Sequence, residues 1–215
     1  MKRRRLTVLV SGTGRNLDAL LKFRSQAKRR WEVVQVISNK PGVAALEIAQ
    51  RAGIPATVVD HRQYKDRIDF DAALALAIES IPSDAVILAG FMRVLGAEFV
   101  QRYAGRMLNI HPSLLPLYRG LKTHQRALED GQQWHGASIH FVTPELDGGP
   151  VIKQGRLRIS PTDTPESLAQ RVFAEVECKL YPEVVDWLAS GRLELRHGRP
   201  ALDGEALHSP LLSDY

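Results

Sequence analysis

The stretch Asn109-Ile110-His111-Pro112-Ser113-Leu114-Leu115-Pro116 sets an amide and an imidazole two residues apart, just after the apolar pair Met107-Leu108. On an extended strand alternate side chains share a face, so Asn109 and His111 point together while Ile110 turns into the core. An amide donor beside an imidazole at the end of a buried strand suits the gripping of a polarised carbonyl oxygen. The same residues also permit a plainer reading, a strand-end histidine satisfied by backbone with a proline-bounded turn behind it. Two further stretches carry chemistry. Asp147, in Glu145-Leu146-Asp147-Gly148-Gly149-Pro150, either meets an imidazole or caps its own turn. Ser11-Gly12-Thr13-Gly14-Arg15-Asn16 has glycines that let backbone approach a ligand, and it precedes leucines at helical spacing, Leu17, Leu20 and Leu21. The free amides of a helix start attract anions, so this loop reads as a phosphate cradle.

The elements that must position these groups alternate. Continuous apolar runs at Leu6–Val10 and Ala85–Ala89 read as strands covered on both faces, and Val33–Ile37 and Pro55–Asp60 as two further strands. Between them, residues 43–52 and the set Phe70, Ala73, Leu74, Ala77 and Ile78 carry helical spacing. This pattern predicts a wound, mainly parallel sheet with helices on both faces, whose ligands collect beyond the carboxyl ends of the strands. The loops after Val10, Ala89 and His111 all lie there. Beyond Pro116 the pattern changes. A short helix from Thr123, a half-buried alternating strand over Ala137–Val142 and a hairpin reaching Ile159 predict an antiparallel extension. Thr164-Pro165 then caps a long helix with the stripe Leu168, Val172, Val176 and Leu180. Tyr181-Pro182 is expected to kink or restart it, and Gly191 to end it. A last hairpin surrounds His197-Gly198. The predicted organisation is one α/β domain over 1–202 and a tail over 203–215.

The dinucleotide fingerprint fails. Leu17 stands where a third glycine belongs, and the second strand ends in Ser38-Asn39-Lys40 without an acidic residue for a ribose diol. That leaves a nicotinamide dehydrogenase as a distant reading. The 215 residues, 44% hydrophobic and 25% charged, suit a soluble globular chain with a substantial core. One cysteine, Cys178, supports neither an internal disulfide nor a cysteine-type zinc site, and reads as packing. The apolar run after Lys2-Arg3-Arg4-Arg5 is too short for a signal peptide, so the cytoplasm is expected. A net charge of +5 permits nucleic acid, but the basic residues are scattered apart from the amino end and Lys28-Arg29-Arg30, which favours small anions.

Taken together, the Ser11–Asn16 loop, Ser38-Asn39-Lys40, Leu88-Ala89-Gly90-Phe91-Met92-Arg93, Asn109–Pro116, His140-Phe141-Val142 and Glu145–Pro150 resemble the phosphoribosylglycinamide formyltransferase family of folate-dependent enzymes. The resemblance implies a single-domain formyltransferase-like fold and formyl transfer from 10-formyltetrahydrofolate to the amine of glycinamide ribonucleotide in purine synthesis. It implies Asn109, His111 and Asp147 as the catalytic set, with no metal. By the same resemblance Gly12, Thr13, Gly14, Arg15, Asn16 and Glu177 bind the ribonucleotide, while Arg67, Met92, Arg93, Val94, Leu95 and Asn109 bind the folate. Arg15 stands where the family commonly has a small serine, and either adds a phosphate contact or faces solvent. Arg67 is equally readable as a solvated helix-face arginine. One extra residue between Arg171 and Tyr181 leaves Glu175 as an alternative to Glu177, and His140 either lines the pocket or supports it from behind. The expected partners are small molecules, without nucleic acid or membrane, and the protein is expected as a monomer or homodimer. The rival enzyme is methionyl-tRNA formyltransferase, which shares the Asn109 stretch but carries a further carboxyl-terminal domain. A noncatalytic nucleotide-binding module is the rival of another class, and it gives Asn109, His111 and Asp147 no reason to converge.

Overall fold

The computed structural model describes residues 3–26 and 31–215; the basic run Lys28-Arg29-Arg30 lies outside them. Strand β1 (Arg4–Val10) leads to α1 (Arg15–Gln26), β2 (Trp31–Ser38) to α2 (Ala44–Arg51), and β3 (Ala56–Val58) to α3 (Arg67–Glu79). β4 (Ala85–Leu88), α4 (Ala97–Arg102) and β5 (Met107–His111) complete the wound half. α5 (Thr123–Glu129), β6 (Trp134–Phe141), β7 (Val151–Arg158), α6 (Pro165–Arg171) and α7 (Cys178–Ala189) follow, then four short strands, β8 (Leu193–Arg196), β9 (Arg199–Leu202), β10 (Glu205–Ala206) and β11 (Leu211–Asp214).

Eight strands form one sheet in the order β11-β7-β6-β5-β4-β1-β2-β3. β1, β2, β3, β4 and β5 run parallel, and β6 is antiparallel to both of its neighbours, β5 and β7, as the sequence pattern predicts. Strand order reverses between β1 and β4, so the loops at their carboxyl ends splay apart into the crevice where wound sheets hold ligands. One buried apolar layer covers the face under α1, α2 and α7, another the face under α3 and α4. With apolar cover on both sides, β1 and β4 carry no polar–apolar alternation.

Three expectations are corrected. β6 is not half-buried, because every residue from His135 to Phe141 is shielded. The helical segments 165–189 pack over it, and polar members such as Ser138 are satisfied internally. Residues 203–215 do not trail away as a tail. β10 extends the small β8–β9 sheet, and β11 pairs in parallel with β7, an edge-strand pairing with no hydrophobic signature in a four-residue segment. Pro182 does not kink or restart the long helix at its own position. α7 runs through it, and the departure lies upstream in a π turn over Val172–Glu177. A π turn holds one residue more than an α turn.

α7 is tied to the sheet at the strand ends that matter. The fully buried Tyr181 hydroxyl donates to the Leu88 carbonyl at 2.9 Å and also reaches that of Leu108 at 3.2 Å, bridging the carboxyl end of β4 and the first half of β5. Burial holds the phenol well above its usual range, so it remains a donor.

Candidate active site

Two cavities flank the ends of β4 and β5, and the alternation of strand and loop residues divides them. One is walled by Leu88, Phe91, Arg93, Val94, Leu95 and Val100, with Asn109, His140 and the 142–147 loop completing it. The other is bounded by Ser11–Asn16, Ala89, Gly90, Met92, Ile110, Pro112, His124, Ala169 and Glu177. Leu88 faces the first and Ala89 the second; Asn109 faces the first and Ile110 the second.

The first cavity has an apolar wall and a polar one. Its apolar rim is held by Asp71, whose Oδ2 accepts from the Gly96 amide at 2.7 Å. Burial raises the Asp71 carboxyl, against the Gly96 hydrogen bond and the Arg67 and Arg93 cations. Arg93 lies over the Phe70 ring, 5.9 Å from its centroid. Arg67, at the start of α3, braces this rim from outside and does not line the cavity. Met92 also departs from expectation. Its amide donates to Ser11 Oγ at 2.7 Å, and its residue lines the second cavity, whereas Arg93, Val94 and Leu95 line the first.

On the polar wall, Asn109 Nδ2 lies 3.1 Å from His140 Nε2. His140 Nδ1 lies 2.9 Å from the Phe141 carbonyl, which can only accept, so the proton sits on Nδ1 and Nε2 accepts from Asn109. Burial lowers the His140 ring, which fits this neutral form. The Asn109 amide is thereby oriented with its donor edge inward. Asp147 stands between two imidazoles, its Oδ2 3.3 Å from His111 Nδ1 and its Oδ1 3.8 Å from His140 Nε2. The Gly120 amide donates to Asp147 Oδ2 at 2.9 Å, and Arg119 pairs with Glu145 in the same loop. Asp147 has left-handed backbone, φ 47°, and the loop closes on Gly149, where a Cβ would collide with the Phe141 carbonyl oxygen. Asp147 therefore does more than cap a turn.

His111 is buried, and its Nε2 donates to the Tyr118 carbonyl at 2.8 Å. Both ring nitrogens thus face acceptors, a setting that only the imidazolium satisfies fully. It lines neither cavity, so the structure brings His111 to Asp147 rather than into the open site. The turn behind it is pinned by Ser138 Oγ, which donates to the Ser113 carbonyl at 2.6 Å and accepts from the Leu115 amide at 3.0 Å.

In the second cavity, Ser11 Oγ donates to Asn39 Oδ1 at 2.5 Å while accepting from Met92, joining the ends of β1, β2 and β4. Gly14 has φ +75°, and a Cβ there would meet Ala45 Cα at 2.7 Å, so the loop lies directly against α2. Asn16 Nδ2 donates to Glu177 Oε2 at 2.7 Å, and burial raises the Glu177 carboxyl despite that bond and the nearby Arg15. Asn16 Oδ1 is buried with no protein partner. Glu175 pairs with Arg171 instead and lines no part of this cavity, so Glu177 is the residue in place. Arg15 does not simply face solvent; its guanidinium lies 4.3 Å from the Phe173 ring centroid.

His124 has no motif around it that marks it in the sequence. Its Nδ1 lies 3.0 Å from His135 Nε2, and His135 also hydrogen-bonds the Pro112 backbone. Burial pushes both down to about 4. Such a pair is neutral when folded and protonates on unfolding. Between the ordinary histidine value of 6.5 and about 4 the unfolded chain binds more protons, so stability rises with pH there. Urea denaturation from pH 7 to pH 4.5 is expected to show a loss of about 2 kcal/mol per histidine, on the order of 4 kcal/mol for the pair. A His135→Gln variant should have a flatter profile, and an unchanged slope in that variant would assign the loss to other groups.

Residues 4–185 match the formyl transferase family. The chain belongs to that family. It is 44% identical over 202 residues to phosphoribosylglycinamide formyltransferase of Escherichia coli (strain K12), covering 94% of this chain and 95% of that protein. Against the human trifunctional purine biosynthetic protein adenosine-3 it is 44% identical over 194 residues, 90% of this chain, but spans only 19% of the relative's length. Among solved structures, phosphoribosylglycinamide formyltransferase from Coxiella burnetii superposes with a TM-score of 0.93 at 45% identity, covering 98% of this chain and 99% of that one. The single-domain formyltransferase fold predicted from sequence is thus shared along nearly the whole chain. Among the described residues no group of three or more His, Cys, Asp or Glu side chains is spaced to hold a metal ion, and no helix is long and apolar enough to cross a membrane.

Proposed function

We propose that this formyltransferase passes the formyl group of 10-formyltetrahydrofolate to the primary amine of glycinamide ribonucleotide. The observation that carries the reading is the division of two cavities by the end of β5. Asn109 and Asp147 stand in one, and the Ser11–Asn16 loop, with anion-binding backbone, stands in the other. The flat, apolar rim formed by Phe91, Val94 and Leu95, with backbone of the 142–147 loop opposite, fits a pterin-like ring, and the second cavity fits a phosphorylated ribose. Glu177 and the unpartnered Asn16 Oδ1 supply acceptors for ribose hydroxyls.

In the reaction, the amine lone pair attacks the formyl carbon, and a C–N bond forms as the carbonyl oxygen gains negative charge. Asn109, its donor edge aimed inward by His140, hydrogen-bonds that oxygen. His111, held as the cation by Asp147, adds positive charge behind it, and a direct bond to the oxygen requires its contact with the Tyr118 carbonyl to open. Asp147 accepts the amine proton through water and returns a proton to the folate nitrogen as the old C–N bond breaks. No covalent enzyme intermediate is required. Small molecules are the partners under this reading, the site lies in a cytoplasmic enzyme, and the monomer contains every group named.

The decisive assay offers 10-formyltetrahydrofolate with glycinamide ribonucleotide and initiator methionyl-tRNA in parallel. Formyl transfer to the ribonucleotide alone is expected. Transfer to the tRNA in preference would replace the reading with its nearest rival, and transfer to neither would leave a binding module.

A further inference from the structure

The second cavity must receive a phosphate dianion, yet Glu177 is an acid and His124 is held neutral by burial. Among the described residues lining it, Arg15 is the one cation at neutral pH. An exposed arginine ordinarily samples many rotamers, and ordering it on a ligand costs free energy at the moment of binding. Here that cost is reduced in advance, because the Arg15 guanidinium is stacked on the half-buried Phe173, 4.3 Å from its ring centroid.

Phe173 owes its place to the π turn. Ala169, Phe173 and Glu177 follow one another at intervals of four, and in a regular α-helix each such step drifts about 40° around the axis. The wider turn over Val172–Glu177 counters that drift, so the three side chains stay over the opening of α1. Ala169 and Glu177 both line the cavity, and Phe173 lies between them, supporting Arg15 at the start of α1.

We propose that Arg15, pre-ordered by Phe173, is a phosphate-binding residue of this site and makes it selective for phosphorylated over unphosphorylated ribosides. The guanidinium supplies a planar fork of donors, which matches phosphate oxygens and complements the single donors of the loop amides. The inference rests on the ribonucleotide reading above, and Phe173 acts through Arg15 as a positioning residue.

The test uses the full-length chain with Arg15→Ser, Arg15→Lys and Phe173→Leu. For Arg15→Ser, KM for the ribonucleotide should rise about tenfold, with KM for the folate within about twofold of the parent. Phe173→Leu should give a smaller rise of the same kind, and Arg15→Lys should recover part of the loss. The dephosphorylated substrate, glycinamide riboside, should be used equally well by the parent and Arg15→Ser. Calorimetric titration with ribose 5-phosphate should show the same order of weakening. Equal ribonucleotide KM values in the parent and Arg15→Ser, or an equal loss for both ribosides, would overturn the proposal. A parent that fails to formylate the ribonucleotide but binds ribose 5-phosphate through Arg15 would instead sink the functional reading and leave this one standing.

Discussion

Asp147→Asn and His111→Ala should each lower turnover at least about a hundredfold, the usual cost of losing one preorganised group that stabilises a developing oxyanion. For Asp147→Asn, the carboxylate facing His111 Nδ1 at 3.3 Å becomes a neutral amide, so the imidazole loses its anionic partner and the site its proton relay. The Gly120 amide can still donate to the remaining side-chain oxygen, so the loop keeps its anchor. For His111→Ala the cation itself disappears and the Tyr118 carbonyl is left without its donor. The two losses should not add. Asp147 and His111 touch and serve the same step, so the double variant should lose less than the product of the two single losses. The check is single-turnover kinetics at saturating substrates, with circular dichroism to establish that the fold persists. Turnover within about tenfold of the parent in either single variant would remove the pair from the chemistry.

Gly14→Ala is expected to separate the two cavities. The position has φ +75°, where an L side chain costs about 1–2 kcal/mol, and the added Cβ would stand 2.7 Å from Ala45 Cα. Neither cost is relieved by a side-chain rotation, since the opposing atom is α2 backbone. The loop must lift from α2, and its amides leave the phosphate. KM for the ribonucleotide should therefore rise at least about tenfold, while folate binding, measured by quenching of intrinsic fluorescence, changes by no more than about twofold. The cavities share no lining residue, which is why the effect should stay on one side. Parallel loss of both ligands would mean that the Gly12–Asn16 loop supports the whole crevice and not one half of it.

Much of the architecture followed from local pattern. Runs such as Leu6–Val10 and Ala85–Ala89 have no alternation because both faces are covered, and that alone implies a wound parallel sheet with its ligands at the carboxyl ends. The Asn109–Pro116 and Ser11–Asn16 stretches were recognisable as chemistry-bearing because residue type and strand-end position coincide. Less readable were features whose cause lies far away in the chain. The strand at Leu211–Asp214 exists because β7 leaves an edge unpaired, not because its four residues favour extension. The π turn over Val172–Glu177 is likewise announced by no local composition.

The amino-acid sequence by itself determined the fold class, the two loops that carry the site and the identity of Asn109, His111 and Asp147 as candidates, since each rests on spacing within a few residues. Only the tertiary structure decided what each side chain faces. It put Met92 with the phosphate loop while Arg93 to Leu95 faced the other cavity, left Arg67 behind the rim, chose Glu177 over Glu175, and paired His124 with His135. It also set the His140 tautomer that aims Asn109, through a carbonyl one residue away and an amide on the neighbouring strand. The physical reason is that hydrogen bonding and burial depend on which atoms meet across the sheet, and those meetings join positions separated by tens of residues.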